Sequence, residues 1–218
     1  MEKVTVSIII PVFNSEEFLE DCLESILSQN INEIEVICIN DGSTDSSLSI
    51  LNEYSKKYEN VIVISQENRG QGYARNIGID IAKGDYFWFI DSDDTIPEFS
   101  IQKVIKKLKK TLCEAFAFTY NMVTNNELGE FVYKKGKGFE EDFEFGIKDR
   151  EESFSLFMKG KIQPLCCNKI YSKKLFENGD CRFKEGIYFE DFLHNSATLS
   201  KSKSTFFYNE ELFNYIER

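Results

Sequence analysis

The chain has 218 residues, a net charge of −11 and a sequence pI of about 4.8, and 42% of its residues are hydrophobic. This apolar content supports a globular core, whereas the acidic balance argues against nucleic-acid binding, which needs a basic face. No apolar stretch approaches the ~20 residues of a membrane span, and the first residues show no signal-peptide pattern. The six cysteines lack CxxC and zinc spacing, which predicts reduced thiols in a cytoplasmic protein; peripheral membrane contact stays open.

Strands and helices alternate along the first 90 residues. Apolar runs at residues 4–12, 34–39, 61–65 and 86–90 predict four strands, and residues at helical spacing predict a helix after each of the first three. We expect Asn14 to cap the first of these helices, with Glu17 as its reciprocal partner. The alternation predicts an α/β fold with an open mixed, mainly parallel sheet flanked by helices. Such sheets bind ligands outside the carboxyl ends of their strands.

The second half of the chain has weaker patterns. Apolar spacing predicts a helix at 101–108 and strands at 114–121 and 205–215. Helices are expected near 150–160 and 187–199, and the segment 168–176 is expected to lead into another. The Gly- and charge-rich residues 125–148 predict a hairpin or loop. We therefore expect a smaller β/helical portion after the first sheet.

The strand at 86–90 ends in the acidic sequence Asp91-Ser92-Asp93-Asp94. Because residues i and i+2 of a strand point to the same side, Asp91 and Asp93 can face one ion together. Hard oxygen ligands favour Mg²⁺ or Mn²⁺, which take substrate phosphates as further ligands. The alternative for so short a motif is a solvated acidic turn. The position after a long buried run favours a metal site that holds a phosphorylated substrate.

Polar signatures also follow the other three predicted strands, at Phe13-Asn14, Asp41 and Asn68. Their convergence on one rim is stronger evidence than any single motif. A carboxylate at Asp41 can accept hydrogen bonds from a nucleobase imide or a ribose hydroxyl. A capping turn at 42–45 is the alternative, but it leaves Asp41 unused.

Residues 68–78 read NRGQGYARNIG, in which Arg75 takes the third glycine position of the dinucleotide fingerprint. This weakens a nicotinamide or flavin interpretation. Arg75 near a helix start can reach a diphosphate, because its guanidinium suits multidentate oxyanion recognition. A salt bridge to one of the strand-end aspartates is the alternative.

Asp191 lies in the sequence Tyr188-Phe189-Glu190-Asp191, a carboxyl pair beside aromatic residues. Such surroundings can shape a base for a hydroxyl group, and a helix N-terminus that favours acids is the alternative. His194, the chain's only histidine, follows one turn later. It is a candidate metal ligand, with an ordinary packed or surface histidine as the alternative.

The motifs SIIIPVFN, INDGSTD, ENRGQGYARNIG, FIDSDD and YFED together resemble those of family 2 glycosyltransferases with the GT-A fold. The resemblance extends from about residue 4 to 215 and is densest in the first 95 residues. It implies one domain over residues 1–218, with a nucleotide-binding half at 1–95 and an acceptor-binding half at 96–218. It also implies inverting transfer from a nucleotide-diphosphate sugar, most often a UDP-sugar, with a divalent metal.

Roles for individual residues follow from the same resemblance. Asp191 is implied as the catalytic base that deprotonates the acceptor hydroxyl, and Asp93 as the ligand of Mn²⁺ or Mg²⁺. The residues implied to bind the nucleotide sugar are Pro11, Val12, Phe13, Asp41, Asn68, Arg75, Asp91 and Ser92. The implied acceptor is a saccharide or glycolipid, in the biosynthesis of a cell-surface polysaccharide.

Departures from the family pattern refine these expectations. Many relatives have tyrosine where Phe13 stands, and Asn40 replaces a common aspartate. The Gln-x-x-Arg-Trp motif of processive synthases is absent, so we expect a single sugar addition per encounter. A nucleotide-sugar-binding module without turnover is one rival. A sugar nucleotidyltransferase is another, although its usual Gly-rich loop after the first strand is replaced here by Phe13-Asn14-Ser15-Glu16.

Overall fold

The computed structural model of the protein describes residues 3–125, 131–136, 139 and 143–217. A short 3-10 helix, Lys173–Phe176, lies after the eighth strand. The other elements, in chain order, are β1 (Val6–Val12), α1 (Leu19–Leu27), β2 (Ile34–Asp41), α2 (Ser47–Lys57), β3 (Val61–Gln66), α3 (Gln71–Ile81), β4 (Tyr86–Phe89), α4 (Ser100–Thr111), β5 (Ala115–Asn125), β6 (Phe131–Lys135), β7 (Gly146–Asp149), α5 (Arg150–Met158), β8 (Lys169–Ser172), α6 (Glu190–Lys201) and β9 (Ser204–Ile216).

One sheet joins both halves of the chain. Within the described residues its nine strands run in the order β3-β2-β1-β4-β8-β5-β9-β7, and β6 pairs with β5 outside this path. The first four strands are parallel, whereas β8 is antiparallel to both of its neighbours. The predicted open mixed, mainly parallel α/β sheet with flanking helices is confirmed: β1 to β4 form its larger parallel part, and β5 and β9 also pair in parallel.

The position of β1 defines where a ligand can bind. Its seven residues are all buried, because it lies between β2 and β4 with both faces covered. The chain proceeds outward from β1 to β3 and then returns to form β4 on the other side. This reversal opens a crevice at the carboxyl ends of β1 and β4. Gly78 lets α3 pack close against β1, since a Cβ at this position would lie 2.4 Å from Cγ2 of Ile9.

The segment 168–176 corrects one prediction. It forms the buried strand β8, which the sequence did not predict, and only then a helix, which is a single 3-10 turn. Its lysines resemble a solvated face, yet Lys169 is wholly buried. The Lys169 ammonium donates to the carbonyl oxygens of Gln163 (2.8 Å) and Leu165 (2.7 Å) and to Oδ1 of Asn168 (2.9 Å). Burial lowers the pKa of Lys169 to about 8.

Asn14 does not cap the first helix, which begins at Leu19. Asn14 has a φ of 48° and connects two loops instead. Its Oδ1 accepts a hydrogen bond from the backbone N–H of Thr44 at 2.8 Å, and its own N–H donates to Oγ of Ser43 at 3.1 Å. The capping prediction was therefore wrong, and the side chain fixes the loop after β1 against the loop after β2.

The hairpin predicted at 125–148 is present in part. β6 pairs antiparallel with β5, while β7 pairs antiparallel with β9. Positions 126–130, 137–138 and 140–142 lie outside the described residues.

Candidate active site

A cavity of about 370 Å³ lies at the carboxyl ends of β1, β2 and β4. This volume falls within the roughly 300–1,000 Å³ of small-molecule sites. The lining contains six of the predicted nucleotide-sugar-binding residues and the predicted metal ligand. These are Pro11, Val12, Phe13, Asp41, Asp91, Ser92 and Asp93. The two other predicted residues, Asn68 and Arg75, lie outside this lining.

Asp41 shapes the wall of the cavity beside β2. It is buried, and its Oδ1 accepts hydrogen bonds from Nε2 of Gln66 at 2.7 Å and from the backbone N–H of Arg69 at 2.9 Å. Its Oδ2 accepts from the N–H of Gly70 at 2.7 Å. A carboxylate oxygen has two acceptor positions, so Oδ2 retains capacity for a ligand donor. The contact with a nucleotide stays a prediction.

Asn68 belongs to the loop that Asp41 holds. Its side chain is exposed, and its backbone N lies where a Cβ on Gly42 would approach to 2.7 Å. Gly42 also has a φ of 74°, a conformation that glycine adopts without strain. The turn after β2 and the loop before α3 are thus in contact beside the cavity.

Ser92 connects the loops on either side of the crevice. Its Oγ lies 2.7 Å from Oγ of Ser15, and both side chains are buried. The N–H of Ser15 donates to Oγ of Ser47 at 2.8 Å. The carboxyl ends of β1, β2 and β4 are therefore joined by hydrogen bonds between their loops.

Arg75 is the centre of the charged part of the site. Its side chain is 1% exposed, and it lies between three carboxylates. Nη2 contacts Oδ1 of Asp91 at 2.6 Å, and Nη1 contacts Oε1 of Glu190 at 3.0 Å and Oδ1 of Asp191 at 3.1 Å. Of the two alternatives for this arginine, the geometry favours the salt bridge over a direct diphosphate contact. One buried cation therefore connects the end of β4 to the start of α6.

Two adjacent cysteines support the same carboxylates. Sγ of Cys167 donates to Oδ2 of Asp91 at 3.3 Å, and the backbone N–H of Cys166 donates to Oδ2 of Asp191 at 3.0 Å. The indole N–H of Trp88 donates to the carbonyl oxygen of Cys167 at 2.8 Å and fixes this segment. The neighbouring Cys166 thiol and burial raise the pKa of Cys167 well above its ordinary value. Cys167 is therefore a neutral thiol that donates a hydrogen bond.

The acidic strand end can accommodate a cation. Ligand atoms of Asp91, Asp94 and Cys167 lie within 4.8 Å of one another. Asp93, the predicted ligand, is half-buried in the cavity lining. Carboxylate oxygens suit Mg²⁺ and Mn²⁺, whereas a thiol suits softer metals. The carboxylates of Asp91 and Asp94 thus fit the expected ion, whereas Asp93 lies outside this group, in the cavity lining, and its role as a ligand stays a prediction.

His194 lies in an aromatic core. Its ring stacks on Phe183 at 3.9 Å between centroids and meets the edges of Phe89 and Tyr171. Nδ1 lies 2.9 Å from the carbonyl oxygen of Cys181, while Nε2 has no hydrogen-bond partner among the described residues. No group of potential metal ligands found in the described part of the chain includes it. The expectation that His194 binds metal was wrong. The aromatic rings around it and the contact of its Nδ1 with the carbonyl oxygen of Cys181 make it a packing residue.

Acid should therefore destabilise the fold through His194. Burial lowers its pKa to about 3, so the unfolded chain binds the additional proton between about pH 6.5 and 3. Stability from this group is complete above pH 6.5 and is lost as pH falls towards 3. Between pH 7.5 and 5.0 the parent should lose about 2 kcal/mol of unfolding free energy more than His194→Asn, which has no titrating ring. Urea unfolding at both pH values measures this difference, and equal losses would contradict it.

A second cavity lies at the amino ends of the parallel strands. It is larger, at about 750 Å³, and its lining includes Ile34, Asn60 and Lys83 near the amino ends of β2, β3 and β4. Parallel sheets bind ligands at the carboxyl ends of their strands, so the smaller cavity, which lies there and is lined by carboxylates, is the candidate site.

In the described ranges, no helix combines the length and apolarity needed to cross a bilayer.

The structure adds residues to the site that the sequence analysis did not assign to it, three of them in the second half of the chain. Glu190 shares Arg75 with Asp191, and the segment at Cys166-Cys167 contacts both aspartates. Gln71 lines the cavity and lies 3.4 Å from Arg75 through its Oε1. The adjacent acidic pair at 190–191 was a signal for Glu190. The cysteines carried no such signal, because they were interpreted as core or loop thiols.

The sheet order and the acidic crevice at its switch point define the GT-A class of fold. The chain belongs to glycosyl transferase family 2, a family of sugar-transferring enzymes, because the family model "Glycosyl transferase family 2" matches residues 7–178. The predicted family is thereby confirmed.

Individual relatives agree with this assignment. The chain is 32% identical over 222 residues to the glycosyltransferase GlyA of Streptococcus pneumoniae, covering 98% of this chain and 30% of that protein. It is 53% identical over 95 residues to poly(ribitol-phosphate) beta-glucosyltransferase of Bacillus spizizenii, covering 42% and 15%. The structure of S. aureus TarS 1-349 in complex with UDP-GlcNAc superposes with a TM-score of 0.82 at 23% identity, covering 99% and 59%. The chain thus spans only part of the length of these relatives.

Proposed function

We propose that this chain transfers a sugar, with inversion, from a nucleotide-diphosphate sugar to a hydroxyl group of a saccharide or glycolipid. The donor is a UDP-sugar, the reaction depends on Mn²⁺ or Mg²⁺, and each encounter adds one sugar. We assign the cavity of about 370 Å³ to the sugar donor and call it the donor cavity. The observation that carries the proposal is the linkage of Asp91, which lines this cavity, to Asp191 through the buried Arg75. This linkage brings a donor-side acid and a candidate base next to each other.

The cavity suits a nucleotide sugar in its chemistry as well as its position. Phe13 is half-exposed at its edge and offers a ring face to a base, while Asp41 offers acceptor capacity. Asp93 and Asp91 would hold the metal, which when bound would neutralise the diphosphate leaving group. The TarS complex contains UDP-GlcNAc, which supports a UDP-sugar here.

Asp191 is proposed to accept the proton of the attacking hydroxyl. Its carboxylate is 24% exposed, and Arg75 and the Cys166 N–H each occupy one acceptor position on its two oxygens. The remaining positions can accept a hydrogen bond from an acceptor hydroxyl. As the proton moves to Asp191, the acceptor oxygen bonds to the anomeric carbon and the bond from that carbon to the diphosphate breaks. Attack on the face opposite the leaving group inverts the configuration.

The biological setting follows from relatives. The Bacillus spizizenii relative acts on poly(ribitol-phosphate), which supports a role in cell-surface polysaccharide biosynthesis. A cytoplasmic location, with or without peripheral contact with the inner face of the membrane, stays part of the proposal. The acceptor and the partners of the whole protein are likewise part of the proposal.

Asp93→Ala should remove metal-dependent nucleotide binding. Calorimetric titration of the parent with UDP, GDP, CDP and dTDP should show a preference for UDP that requires Mn²⁺. The variant should bind UDP in Mn²⁺ at least about tenfold more weakly, or about 1.4 kcal/mol. Its affinity without Mn²⁺ should be unchanged, because Asp93 is proposed to act on the nucleotide through the metal.

Asp85→Ala is the matched control for this titration. Asp85 precedes the other end of β4 and pairs with Lys3 at the surface. Its variant should bind UDP as the parent does. Mn²⁺-independent binding by the parent, or an unchanged affinity in Asp93→Ala, would contradict the metal assignment. Failure of the folded parent to bind any of the four nucleotides would contradict the proposed function.

A further inference from the structure

An exposed apolar surface lies at the start of α6, and we call it the aromatic rim. Tyr188 is 93% exposed and Phe189 is 85% exposed, which is unusual for such large apolar side chains. Contiguous exposed apolar surface often marks a binding site. Neighbouring residues extend it; the rim comprises Ile187, Tyr188, Phe189, Phe192 and Leu193.

The backbone holds the two aromatic rings outward. Phe189 has a φ of 62°, a left-handed conformation that is disfavoured for a bulky side chain. Its carbonyl oxygen accepts a hydrogen bond from the N–H of Phe192 at 3.1 Å, so the turn is fixed. Phe192 itself packs on Phe157 with centroids 5.3 Å apart. A disfavoured conformation maintained by its surroundings is a common feature of binding sites.

The rim adjoins the proposed base but not the donor cavity. Phe189 is two residues from Asp191, so their Cα atoms lie at most about 7 Å apart. The lining of the donor cavity contains no member of the rim. A hydroxyl that Asp191 deprotonates must lie within hydrogen-bond reach of it. The molecule that carries this hydroxyl therefore binds close to the backbone at Phe189, and the exposed rings of Tyr188 and Phe189 are candidate contacts for it.

The local charge indicates what kind of molecule fits. Residues 184–193 contain one lysine and three acidic residues, within a chain of net charge −11. An anionic membrane surface or a nucleic acid is attracted by clustered lysine and arginine, which this segment lacks. An uncharged partner with C–H groups on one face matches better, because aromatic ring faces are electron-rich. A neutral sugar ring has such a face and is about as wide as a phenyl ring.

We infer that Tyr188 and Phe189 form a stacking subsite for a neutral saccharide, which they hold with one hydroxyl at Asp191. This inference rests on the proposed function, since it assigns the acceptor side of that reaction. The rings contact the sugar next to the reacting hydroxyl. The donor cavity works independently of them.

Saturation-transfer NMR with the parent chain, UDP and the diamagnetic ion Mg²⁺ tests the subsite without requiring turnover. The probes are maltose, cellobiose, lactose and diacetylchitobiose. At least one should receive saturation on its C–H protons from the protein's aromatic protons. Tyr188→Ala and Phe189→Gly should reduce that signal at least fivefold, and the glycine also relieves the positive φ. UDP affinity should stay within twofold of the parent in both variants.

Leu112→Gly is the control. Leu112 is also an exposed apolar residue with a positive φ, of 50°, but it lies beside Lys109 at the C-terminus of α4. Its variant should keep the full saturation signal. Unchanged signals in the rim variants, or no saturation of any probe by the parent, would overturn the inference. The inference would also be overturned if the rim variants lost the parent's binding to phosphatidylcholine or phosphatidylglycerol vesicles while their saccharide signal was unchanged. The rim would then contact lipid.

The two proposals fail in different ways. A parent that contacts a disaccharide through the rim but binds no nucleotide would contradict the proposed function and leave the subsite supported. A parent that binds UDP with Mn²⁺ but shows no rim-dependent saccharide contact would overturn the subsite alone.

Discussion

Asp191→Asn should lower the rate of sugar transfer by about 10²- to 10⁴-fold, the usual contribution of a general base. The amide cannot take the hydroxyl proton. Its NH₂ group must also face either Arg75 or the N–H of Cys166, both of which are donors. UDP affinity should change little, because Asp191 lies outside the lining of the donor cavity. Release of UDP in the presence of donor and acceptor measures the rate, and calorimetry measures the affinity.

Glu190→Gln separates proton transfer from charge balance. Glu190 contacts the same Nη1 of Arg75 at 3.0 Å and is only 5% exposed, so its variant removes an equivalent negative charge. This variant should keep transfer within about tenfold of the parent, because Glu190 is too enclosed to meet an acceptor. Equal losses in both variants would mean that the charge around Arg75, rather than a base, controls the rate. Full activity in Asp191→Asn would assign the base to another residue.

Arg75→Met should destabilise the fold by about 3–5 kcal/mol, the usual cost of removing one partner from a buried ion pair. The variant leaves Asp91, Glu190 and Asp191 close together without their cation. For a chain of this size the melting temperature should fall by roughly 10 °C. Transfer should be lost as well, because the two proposed reaction-side aspartates would repel each other. Thermal unfolding followed by circular dichroism measures the stability.

Arg182→Met is the matched control for this substitution. Arg182 also pairs with an aspartate, Asp80, but at the surface, where such pairs contribute about 0–1 kcal/mol. It should unfold within a few degrees of the parent. Arg75→Lys keeps a positive charge without the planar fork and should be intermediate in stability. A parent-like melting temperature for Arg75→Met would contradict the central role of this cation.

The first four strands were predictable because each is a short apolar run with its own end signal. Buried parallel strands have this appearance regardless of what surrounds them. β8 was not predictable on this basis, since Lys169 inside it resembles a surface residue. Only the carbonyl groups of Gln163 and Leu165 and the side chain of Asn168 explain how its ammonium can be buried. Such partners become visible only once the chain is folded.

The candidate site divides in the same way. Residues at strand ends, such as Asp41 and Asp91, were predicted because topology brings strand ends to one edge. The surroundings of Arg75 were not, because Glu190 is 115 residues away in the chain and nothing local indicates the pairing. His194 illustrates the converse. Its proximity in sequence to Glu190 favoured a ligand role, while the aromatic rings around it come from β4, β8 and the loop at Phe183.

The placement of β8 beside β4 has a consequence for biosynthesis. β4 ends at Phe89, but its neighbour on one side is complete only at Ser172. At ribosomal rates of about 5–20 residues per second, the nascent chain exposes this edge of β4 for on the order of ten seconds. An open strand edge of apolar residues readily pairs with another chain. During this interval of translation, molecular chaperones that cover the open edge of β4 would prevent it from pairing with other chains.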